Sequence, residues 1–374
     1  MKSTAALRRT PAPADASIGR ASGFVPHARP AIGTDEEEAA LRVLRSARLA
    51  PGSEAARLEG LLSRLAGAAD AVALQSGTLS LTLALRALRA GPGDRVAIPA
   101  YGCAALLHAV HAAGCVPVIA DIDPDTLALD PDSLRRRADP HGLRAVVVVH
   151  PFGMPVPVEP YRAAGRIVIE DCAQSPGARL GLSPVGSFGD AAVFSFGPTK
   201  LLTCGGPGGG IASGDPAIVR AARDLARHDE KEDAAPRLNG LMGDLHAAIA
   251  AAQIGRLHEI VARRRAIAER YDAAFGDLAL RPRLAGGARP VFHRYLLSVP
   301  ARASALIDLL GRRGLQARTP VHRPLHRLVA GYTPCPGADE AHARWVSLPL
   351  SAAFTETEVD RVIGEVQACL SPRS

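Results

Sequence analysis

A lysine and an aspartate each follow a short apolar run near the middle of the chain. Asp171 comes after residues 167–169, and Lys200 comes after residues 191–194. A partly buried lysine readily changes its pKa and forms Schiff bases with carbonyl groups. A carboxylate at the end of a strand can pair with a protonated pyridine nitrogen. Pyridoxal phosphate requires these two groups of a protein, so the pattern predicts a site where Lys200 bonds this cofactor.

Each of these residues alone has a simpler explanation. A lone lysine after a strand is usually solvated, and an acid there is often a turn or cap residue. However, Ser76-Gly77-Thr78 lies between a predicted strand and a predicted helix, where free N–H groups bind phosphate. The alternative is that Thr78 only caps its helix. Because ligands of open α/β sheets bind at the carboxyl ends of strands, we expect this segment to meet Asp171 and Lys200 there.

The composition is typical of a large globular protein. The 374 residues are 47% hydrophobic and exceed the usual size of one compact core. We expect a flexible tail over 1–24, a large cofactor-binding domain over 25–250, and a connecting helix with a small domain over 251–374. No stretch approaches the roughly 20 apolar residues of a membrane helix, and the N-terminal region lacks the apolar segment of a secretory signal. The expectation is a cytoplasmic protein without a membrane partner.

Neither nucleic acid nor metal is an expected ligand. The formal net charge is +7, but the arginine runs 135–137 and 263–265 lie among apolar positions, which favours solvated helix faces. The 6 cysteines form no CxxC pair, and no histidine–carboxylate cluster has metal-ligand spacing. Reduced thiols are the simpler interpretation. Lone histidines such as His150 and His293 are more often structural hydrogen-bonding residues than catalysts.

Short apolar runs alternate with helical segments through the first half of the chain. Strands are predicted over residues 71–74, 96–98, 116–120, 145–149, 167–169 and 191–194, with helices between most of them. This alternation predicts an α/β fold with a mainly parallel sheet covered by helices on both faces. The almost all-valine run 145–149 indicates a strand that is buried on both faces.

The pattern changes after the glycine-rich segment 205–210, which predicts a loop. The elements predicted beyond it include a long helix over 244–275, strands over 291–299 and 315–318, and a helix over 303–310. Capping boxes are predicted from Thr34 to Glu37 and from Thr355 to Glu358. These elements predict a small C-terminal α/β domain.

A series of short motifs occurs in order between Arg29 and Val366. They are Glu59, Ser76-Gly77-Thr78, Pro92-Gly93-Asp94, Asp121-Ile122-Asp123, His150-Pro151-Phe152-Gly153, Glu170-Asp171-Cys172-Ala173-Gln174, Gly186-Ser187-Phe188-Gly189-Asp190, Ser195-Phe196 ahead of Lys200, Asp244-Leu245-His246-Ala247-Ala248, His322-Arg323-Pro324-Leu325-His326 and Leu348-Pro349. With these motifs the chain resembles the DegT/DnrJ/StrS sugar aminotransferase family of fold-type I pyridoxal phosphate enzymes.

The resemblance implies roles for the residues around the cofactor ring. Lys200 would hold the cofactor covalently and later move protons between substrate and cofactor. Asp171 would keep the pyridine nitrogen protonated, which makes the ring an electron sink. Gln174 would contact the ring near its phenolic oxygen.

The resemblance also implies how the cofactor phosphate is held. Gly77, Thr78 and Ser195, together with Ser76, would bind it within the chain. Asn239 would reach the phosphate of the neighbouring subunit, because this family builds each site from both chains of a homodimer.

The chain departs from the family pattern near the cofactor. The family usually stacks an aromatic residue on the ring where this chain has Cys103, with Tyr101 as the nearest possible substitute. The glycine loop after the lysine usually contains a glutamate, which the segment 205–208 lacks. An arginine that often meets the substrate is replaced by Leu241. These changes affect the expected ring packing and substrate contacts more than the transfer itself.

The resemblance implies an aminotransferase that moves an amino group from L-glutamate to a keto sugar, with Tyr101, His322 and His326 as candidate substrate contacts. The alternatives are a keto-cyclitol acceptor, sugar dehydration, or a cofactor-binding protein without turnover. Family members that dehydrate sugars replace the lysine with histidine, so Lys200 argues against dehydration. The retained lysine, Asp171 and glutamine argue against lost turnover. Neither the acceptor nor the aminated carbon can be read from the residues.

Overall fold

The computed structural model describes residues 23–137, 142–162, 165–276, 280–299 and 303–370. The predicted tail lies outside the described residues up to residue 22. The helices are α1 (Thr34–Ser46), α2 (Ser53–Ala66), α3 (Gly77–Ala87), α4 (Ala104–Ala112), α5 (Pro131–Arg137), α6 (Glu159–Arg162), α7 (Pro216–Ala226), α8 (Asp244–Gly255), α9 (Leu257–Phe275), α10 (Ala303–Arg312), α11 (Pro336–Arg344) and α12 (Glu356–Leu370). The strands are β1 (Asp70–Leu74), β2 (Arg95–Pro99), β3 (Val116–Ala120), β4 (Leu143–Val149), β5 (Gly165–Asp171), β6 (Arg179–Leu180), β7 (Ser183–Pro184), β8 (Ala191–Ser195), β9 (Gly209–Ser213), β10 (Ala288–Arg289), β11 (Tyr295–Ser298) and β12 (Trp345–Leu348).

A 7-stranded sheet forms the centre of the fold, in the order β1-β9-β8-β5-β4-β2-β3. Strands β2, β3, β4, β5 and β8 pair in parallel, whereas β9 runs antiparallel to both of its neighbours. The α/β fold with a mainly parallel sheet is therefore confirmed.

Alternate residues of β4 pack on opposite faces of this sheet. Val147 and Val149 belong to a core that includes α3, α4 and α7, while Val146 and Val148 belong to a core beneath α5 and α6. All four side chains are buried. The valine run therefore forms the strand covered on both faces that its composition predicts.

Two glycines that were expected in a loop begin strand β9. A Cβ at Gly210 would lie 2.6 Å from the Leu62 side chain, and one at Gly209 would lie 2.5 Å from the carbonyl carbon of Ser76. Glycine has low strand propensity, which is why the sequence predicted a loop. The close packing of α2 and the Ser76 backbone against this strand accounts for the glycines.

The C-terminal region has a sheet of its own, formed by β11 and β12. A hydrophobic core packs this sheet with α9, α10 and α12, and it also includes Val25. The predicted domain boundaries stay a prediction. The predicted strand over 315–318 is wrong, because Leu315 bridges Val25 whereas Arg318 bridges Ser347. Its two ends pair with different segments, so no continuous ladder forms.

The helix predicted over 244–275 is two helices, α8 and α9, which meet at Arg256. Gly255 has low helix propensity. The Nη1 atom of Arg256 lies 2.8 Å from Oε2 of Glu36, a carboxylate that is buried against α8. A weak helix former and a tertiary ion pair therefore coincide with the break.

The two predicted capping boxes have different outcomes. The first lies one residue earlier than predicted, because the carboxylate of Glu36, not Glu37, accepts a hydrogen bond of 2.6 Å from the N–H of Gly33. Glu36 is buried and Glu37 is exposed, so tertiary packing decides which glutamate turns inward. The second box is confirmed: Thr355 and Glu358 exchange reciprocal hydrogen bonds of 2.9 and 3.2 Å.

Asp244 caps a helix that is remote in sequence. Helix α2 begins after Gly52, which has no capping side chain. The Oδ1 atom of Asp244 accepts hydrogen bonds from the N–H groups of Gly52 at 2.8 Å and Ala55 at 3.0 Å. Asp244 is itself buried, so water does not replace these bonds.

We expect Asp244→Ala to lower the free energy of unfolding by about 3 kcal/mol, because two N–H groups lose a charged acceptor. Urea denaturation measures this change. The control is Asp215→Ala, which removes the exposed local cap of α7 and should cost about 1 kcal/mol. Equal losses in the two variants would contradict the prediction.

Candidate active site

The carboxyl ends of β5 and β8 border a cavity of about 300 Å³. Asp171 ends β5, Ser195 ends β8, and the start of α3 forms another wall. The predicted cofactor-binding residues that line it are Ser76, Gly77, Thr78, Cys103, Asp171, Gln174, Ser195 and Lys200. Segments far apart in sequence therefore meet at one edge of the sheet, where ligands of such sheets bind.

The first turn of α3 forms a cradle suited to an anion. The Oγ atom of Ser76 accepts a hydrogen bond of 3.1 Å from the N–H of Leu79, so Ser76 is the helix cap rather than Thr78. Among the described residues, the N–H groups of Gly77 and Thr78 have no acceptor. A Cβ at Gly77 would lie 2.8 Å from Cβ of Ser195, so only glycine fits between the helix and β8. This arrangement suits a phosphate group.

Lys200 and Asp171 influence each other across the cavity. Burial lowers the pKa of the Lys200 ammonium, and the carboxylate of Asp171 opposes that shift. Burial raises the pKa of Asp171, opposed by the charge of Lys200 and by a 2.9 Å hydrogen bond from the N–H of Ala173. Burial therefore shifts Lys200 towards the neutral amine, which is the nucleophilic form of lysine. A protonated ring nitrogen beside Asp171 would supply a second positive partner.

Gln174 is oriented by the loop that follows β4. Its Oε1 atom accepts a hydrogen bond of 2.8 Å from the N–H of Phe152. Since Oε1 is occupied by a donor, the Nε2 amide remains to donate to an oxygen within the cavity. Phe152 has a positive φ of 56°, a conformation that few non-glycine residues adopt.

Glu170 supports the wall behind Asp171. Its carboxylate accepts hydrogen bonds from the N–H groups of residues 186, 188 and 189 and lies 2.9 Å from Nε2 of His150. Nδ1 of His150 accepts from the N–H of Val156 at 3.1 Å, so Nε2 carries the hydrogen. These hydrogen bonds account for the positions of His150 and Glu170, which form a buried cluster with Cys172. Burial keeps the pKa of the Cys172 thiol well above its ordinary value.

Cys103 and Tyr101 lie in different environments. Cys103 is exposed and lines the cavity. The Tyr101 ring is buried against Phe152 and His342, with centroid separations of 6.2 and 6.5 Å, and is not part of the cavity wall. Of these two residues, Cys103 is therefore the one positioned to meet a ligand in the cavity.

The remaining predicted residues do not line this cavity. His322 lines a second cavity of about 520 Å³, and Nε2 of His326 lies 3.0 Å from Oδ1 of Asp339. Asn239 is exposed on the segment before α8. The sequence analysis missed Arg294, whose charge lowers the pKa of Lys200, because no motif distinguishes it from the other arginines.

The comparisons with known proteins identify the family. Residues 30–367 match the model of the DegT/DnrJ/EryC1/StrS aminotransferase family. The chain belongs to this family. Among similar solved structures, DesV of S. venezuelae is 28% identical, with 94% of this chain and 100% of that chain covered and a TM-score of 0.87. The aminotransferase TlmJ of Streptoalloteichus hindustanus is 32% identical, with coverages of 92% and 98% and a TM-score of 0.86. The ntda protein of Bacillus subtilis, with bound cofactor PMP, is 25% identical, with coverages of 91% and 83% and a TM-score of 0.83.

Membership of this family confirms the predicted enzyme class, a pyridoxal phosphate-dependent aminotransferase. The residues of the cavity suit this cofactor: free N–H groups would bind its phosphate, the Asp171 carboxylate would pair with its ring nitrogen, and the Gln174 amide would donate to its phenolic oxygen. Within the part of the chain that the structure describes, no helix is both long and apolar enough to cross a membrane.

The loop that follows Lys200, where this chain lacks the glutamate expected from the resemblance, is tightly packed. Pro207 and Gly208 line the cavity in this segment. A Cβ at Gly208 would lie 2.4 Å from Sγ of Cys204 and 2.9 Å from Cε of Met242. There is therefore no room for a side chain at position 208.

The shifted pKa of Lys200 predicts how the cofactor-free protein captures pyridoxal phosphate. Because the neutral amine attacks, the capture rate should rise with pH with a midpoint below the ordinary lysine value of 10.5. Asp171→Asn removes the charge that stabilises the ammonium, so its midpoint should lie at a still lower pH. Borohydride trapping and intact mass measure the bound fraction. Lys200→Ala, which leaves Lys2 and Lys231, gives the background, and a midpoint at or above 10.5 would refute the shift.

The close approach of α3 to β8 predicts that Gly77→Ala weakens cofactor binding. The added Cβ must displace Ser195 or the first turn of α3, so we expect the dissociation constant of pyridoxal phosphate to rise roughly tenfold or more. Equilibrium dialysis measures it. The matched control is Gly91→Ala, where a Cβ meets nothing within 4 Å. Unchanged binding by the Gly77 variant would show that the cradle does not hold the phosphate.

Proposed function

We propose that the protein transfers the amino group of L-glutamate to a nucleotide-linked keto sugar, as a step of amino-sugar biosynthesis in the cytoplasm. The observation that carries this proposal is a single cavity that is lined by Lys200, by Asp171 and by the start of α3 with its free N–H groups. Membership of the aminotransferase family and the resemblance of its motifs to sugar aminotransferases support the acceptor class.

The residues of the cavity divide the work of binding and proton transfer. Pyridoxal phosphate supplies an electron sink when it is bound. Lys200 Nζ would hold the cofactor and then carry the proton that leaves the donor α-carbon. The carboxylate of Asp171 would keep the proton on the ring nitrogen, and Nε2 of Gln174 would donate to the phenolic oxygen. Burial lowers the pKa of Lys200 and so shifts it towards the neutral amine, which is the form that accepts a proton.

We also propose a homodimer in which Asn239 completes the phosphate site of the partner. Leu41, Leu44 and Leu49 are exposed on α1 and the segment after it. The C=O of Leu49 accepts a hydrogen bond of 3.2 Å from the N–H of Asp244, which follows closely after Asn239. An exposed apolar surface beside an exposed asparagine supports a partner at this face.

The amino-transfer proposal is tested by mixing the cofactor-loaded protein with excess L-glutamate. We expect the absorption band of bound pyridoxal phosphate to give way to that of the pyridoxamine form, with release of 2-oxoglutarate. Lys200→Ala should lose at least about 1,000-fold in rate, because both the covalent attachment and the proton carrier are removed. A variant that retains the parent rate would overturn the role of Lys200, and a parent that ignores glutamate would overturn the donor.

The shared site is tested by mixing two impaired variants. Lys200→Ala homodimers lack the lysine at both sites, and Asn239→Ala homodimers lack the proposed partner contact at both sites. If sites are shared, the mixed dimer contains one site with both residues intact, and donor turnover should reappear after subunit exchange. Absence of any recovery, with exchange verified by native mass spectrometry, would show that Asn239 acts within its own subunit or not at all.

A further inference from the structure

Lys200 lies on a short segment, residues 197–204, whose two ends are joined; we call it the lysine segment. The C=O of Phe196, the residue before it, accepts a hydrogen bond of 3.0 Å from the N–H of Cys204. Within it, the N–H of Lys200 donates to the C=O of Gly197 at 3.0 Å. The ends are therefore fixed to strand β8, whereas the position of the chain between them depends on what it packs against.

Helix α8 supports the lysine segment from one side. Leu201 and Leu202 are buried in the same core as Ala247, Ala250 and Ala251 of α8. Apolar packing of this kind is not directional. It keeps the segment against the helix but does not by itself set where along the helix the segment lies.

Gln253 of α8 provides a directional contact. Its Oε1 atom accepts a hydrogen bond of 3.3 Å from the N–H of Thr203, and both residues are buried. Among the described residues, this is the only hydrogen bond between the lysine segment and a helix. Nε2 donates to the C=O of Ala31 and to Oε1 of Glu36, each at 2.9 Å. Because both partners of Nε2 are acceptors, the amide has one orientation, with its oxygen towards the lysine segment.

The far side of this amide is fixed by the carboxylate of Glu36. Its Oε2 atom accepts hydrogen bonds from the N–H of Gly33 at 2.6 Å and from Nη1 of Arg256 at 2.8 Å. Glu36 is buried, and removing one donor from a buried carboxylate is costly. Gln253 therefore cannot turn its amide away without a loss of stability, and its oxygen is a fixed point for the lysine segment.

We propose that Gln253 is a positioning residue, whose amide oxygen holds the lysine segment where Nζ of Lys200 reaches the aldehyde of pyridoxal phosphate. This inference rests on the proposed role of Lys200 as the residue that bonds the cofactor. In that step the neutral amine attacks the aldehyde carbon, a C=N bond replaces the C=O bond and one water molecule leaves. Gln253 does not line the cofactor cavity, so it acts through the segment alone. The phosphate cradle belongs to α3 and does not depend on this contact.

Pyridoxal phosphate and pyridoxamine phosphate separate positioning from folding. The first forms a covalent bond with the lysine, whereas the second carries an amino group in place of the aldehyde and binds without that bond. We expect Gln253→Met to slow the covalent capture of pyridoxal phosphate by the cofactor-free protein about tenfold, because a buried hydrogen bond that places the lysine is lost. The dissociation constant of pyridoxamine phosphate should stay within about twofold of the parent value, because its binding does not use that hydrogen bond. Borohydride trapping with intact mass measures capture, and equilibrium dialysis measures pyridoxamine phosphate binding.

Gln316→Met is the matched control. Oε1 of Gln316 accepts a hydrogen bond of 3.1 Å from the N–H of His27, so this variant also takes an amide acceptor from a backbone N–H. Gln316 does not line the cofactor cavity, and its variant should capture pyridoxal phosphate at the parent rate. If circular dichroism shows that Gln253→Met does not fold, Gln253→Ala replaces it. The space opened by alanine admits water to the Glu36 carboxylate while the same acceptor is removed. Lys200→Ala gives the background of trapping.

Slow capture with unchanged pyridoxamine phosphate binding is the result expected of a positioning residue. Capture at the parent rate by the Gln253 variant that folds would overturn the inference. A parallel loss of both ligands would also overturn it, because Gln253 would then support the whole cavity. If the parent shows no trapping above the Lys200→Ala background, the proposed role of Lys200 fails and this inference fails with it. A parent that captures the cofactor but ignores L-glutamate would overturn the proposed donor and leave this inference intact, because capture needs no donor.

Discussion

The site depends on one constraint: an ammonium and a carboxylate are buried together beside the same cavity. Desolvation drives both Lys200 and Asp171 towards their neutral forms, while their mutual attraction favours the charged forms. Such a pair is useful only if each group is held in place, because a free lysine would turn to solvent. The ends of β5 and β8 provide that placement, and the N–H of Ala173 fixes one carboxylate oxygen of Asp171.

The residue next to Asp171 shows how the fold maintains this arrangement. Glu170 is fully buried, yet backbone N–H groups and His150 satisfy its carboxylate. These hydrogen bonds lower its pKa against the effect of burial, so it remains charged. Removing one hydrogen-bond donor from a buried charge is costly. The Glu170 carboxylate therefore ties the loop 186–189 and the end of β4 to the strand that carries Asp171. Glu170 and Asp171 are consecutive in β5, so their side chains face opposite sides of the sheet.

Close backbone contacts form the other half of the site. Gly77 lies against Ser195, and Gly209 lies against Ser76, so the start of α3 is pressed onto β8 and β9. The first N–H groups of α3, which have no acceptor among the described residues, thus lie at the cavity. Arginines from the C-terminal region add positive charge on the far side, and the protein carries a formal net charge of +7. The field around the two cavities therefore favours anionic substrates and an anionic cofactor.

The sequence by itself determined the α/β class and the burial of the valine run on both faces of the sheet. It also predicted that Lys200, Asp171 and Ser76-Gly77-Thr78 lie at one cavity, as the structure has them. Local features carry that information: hydrophobic period, apolar runs that end in reactive residues, and motifs of fixed spacing. Tertiary structure alone decided the strand formed by Gly209, the break at Arg256 and the choice of Glu36 as cap, because each depends on a neighbour distant in the chain.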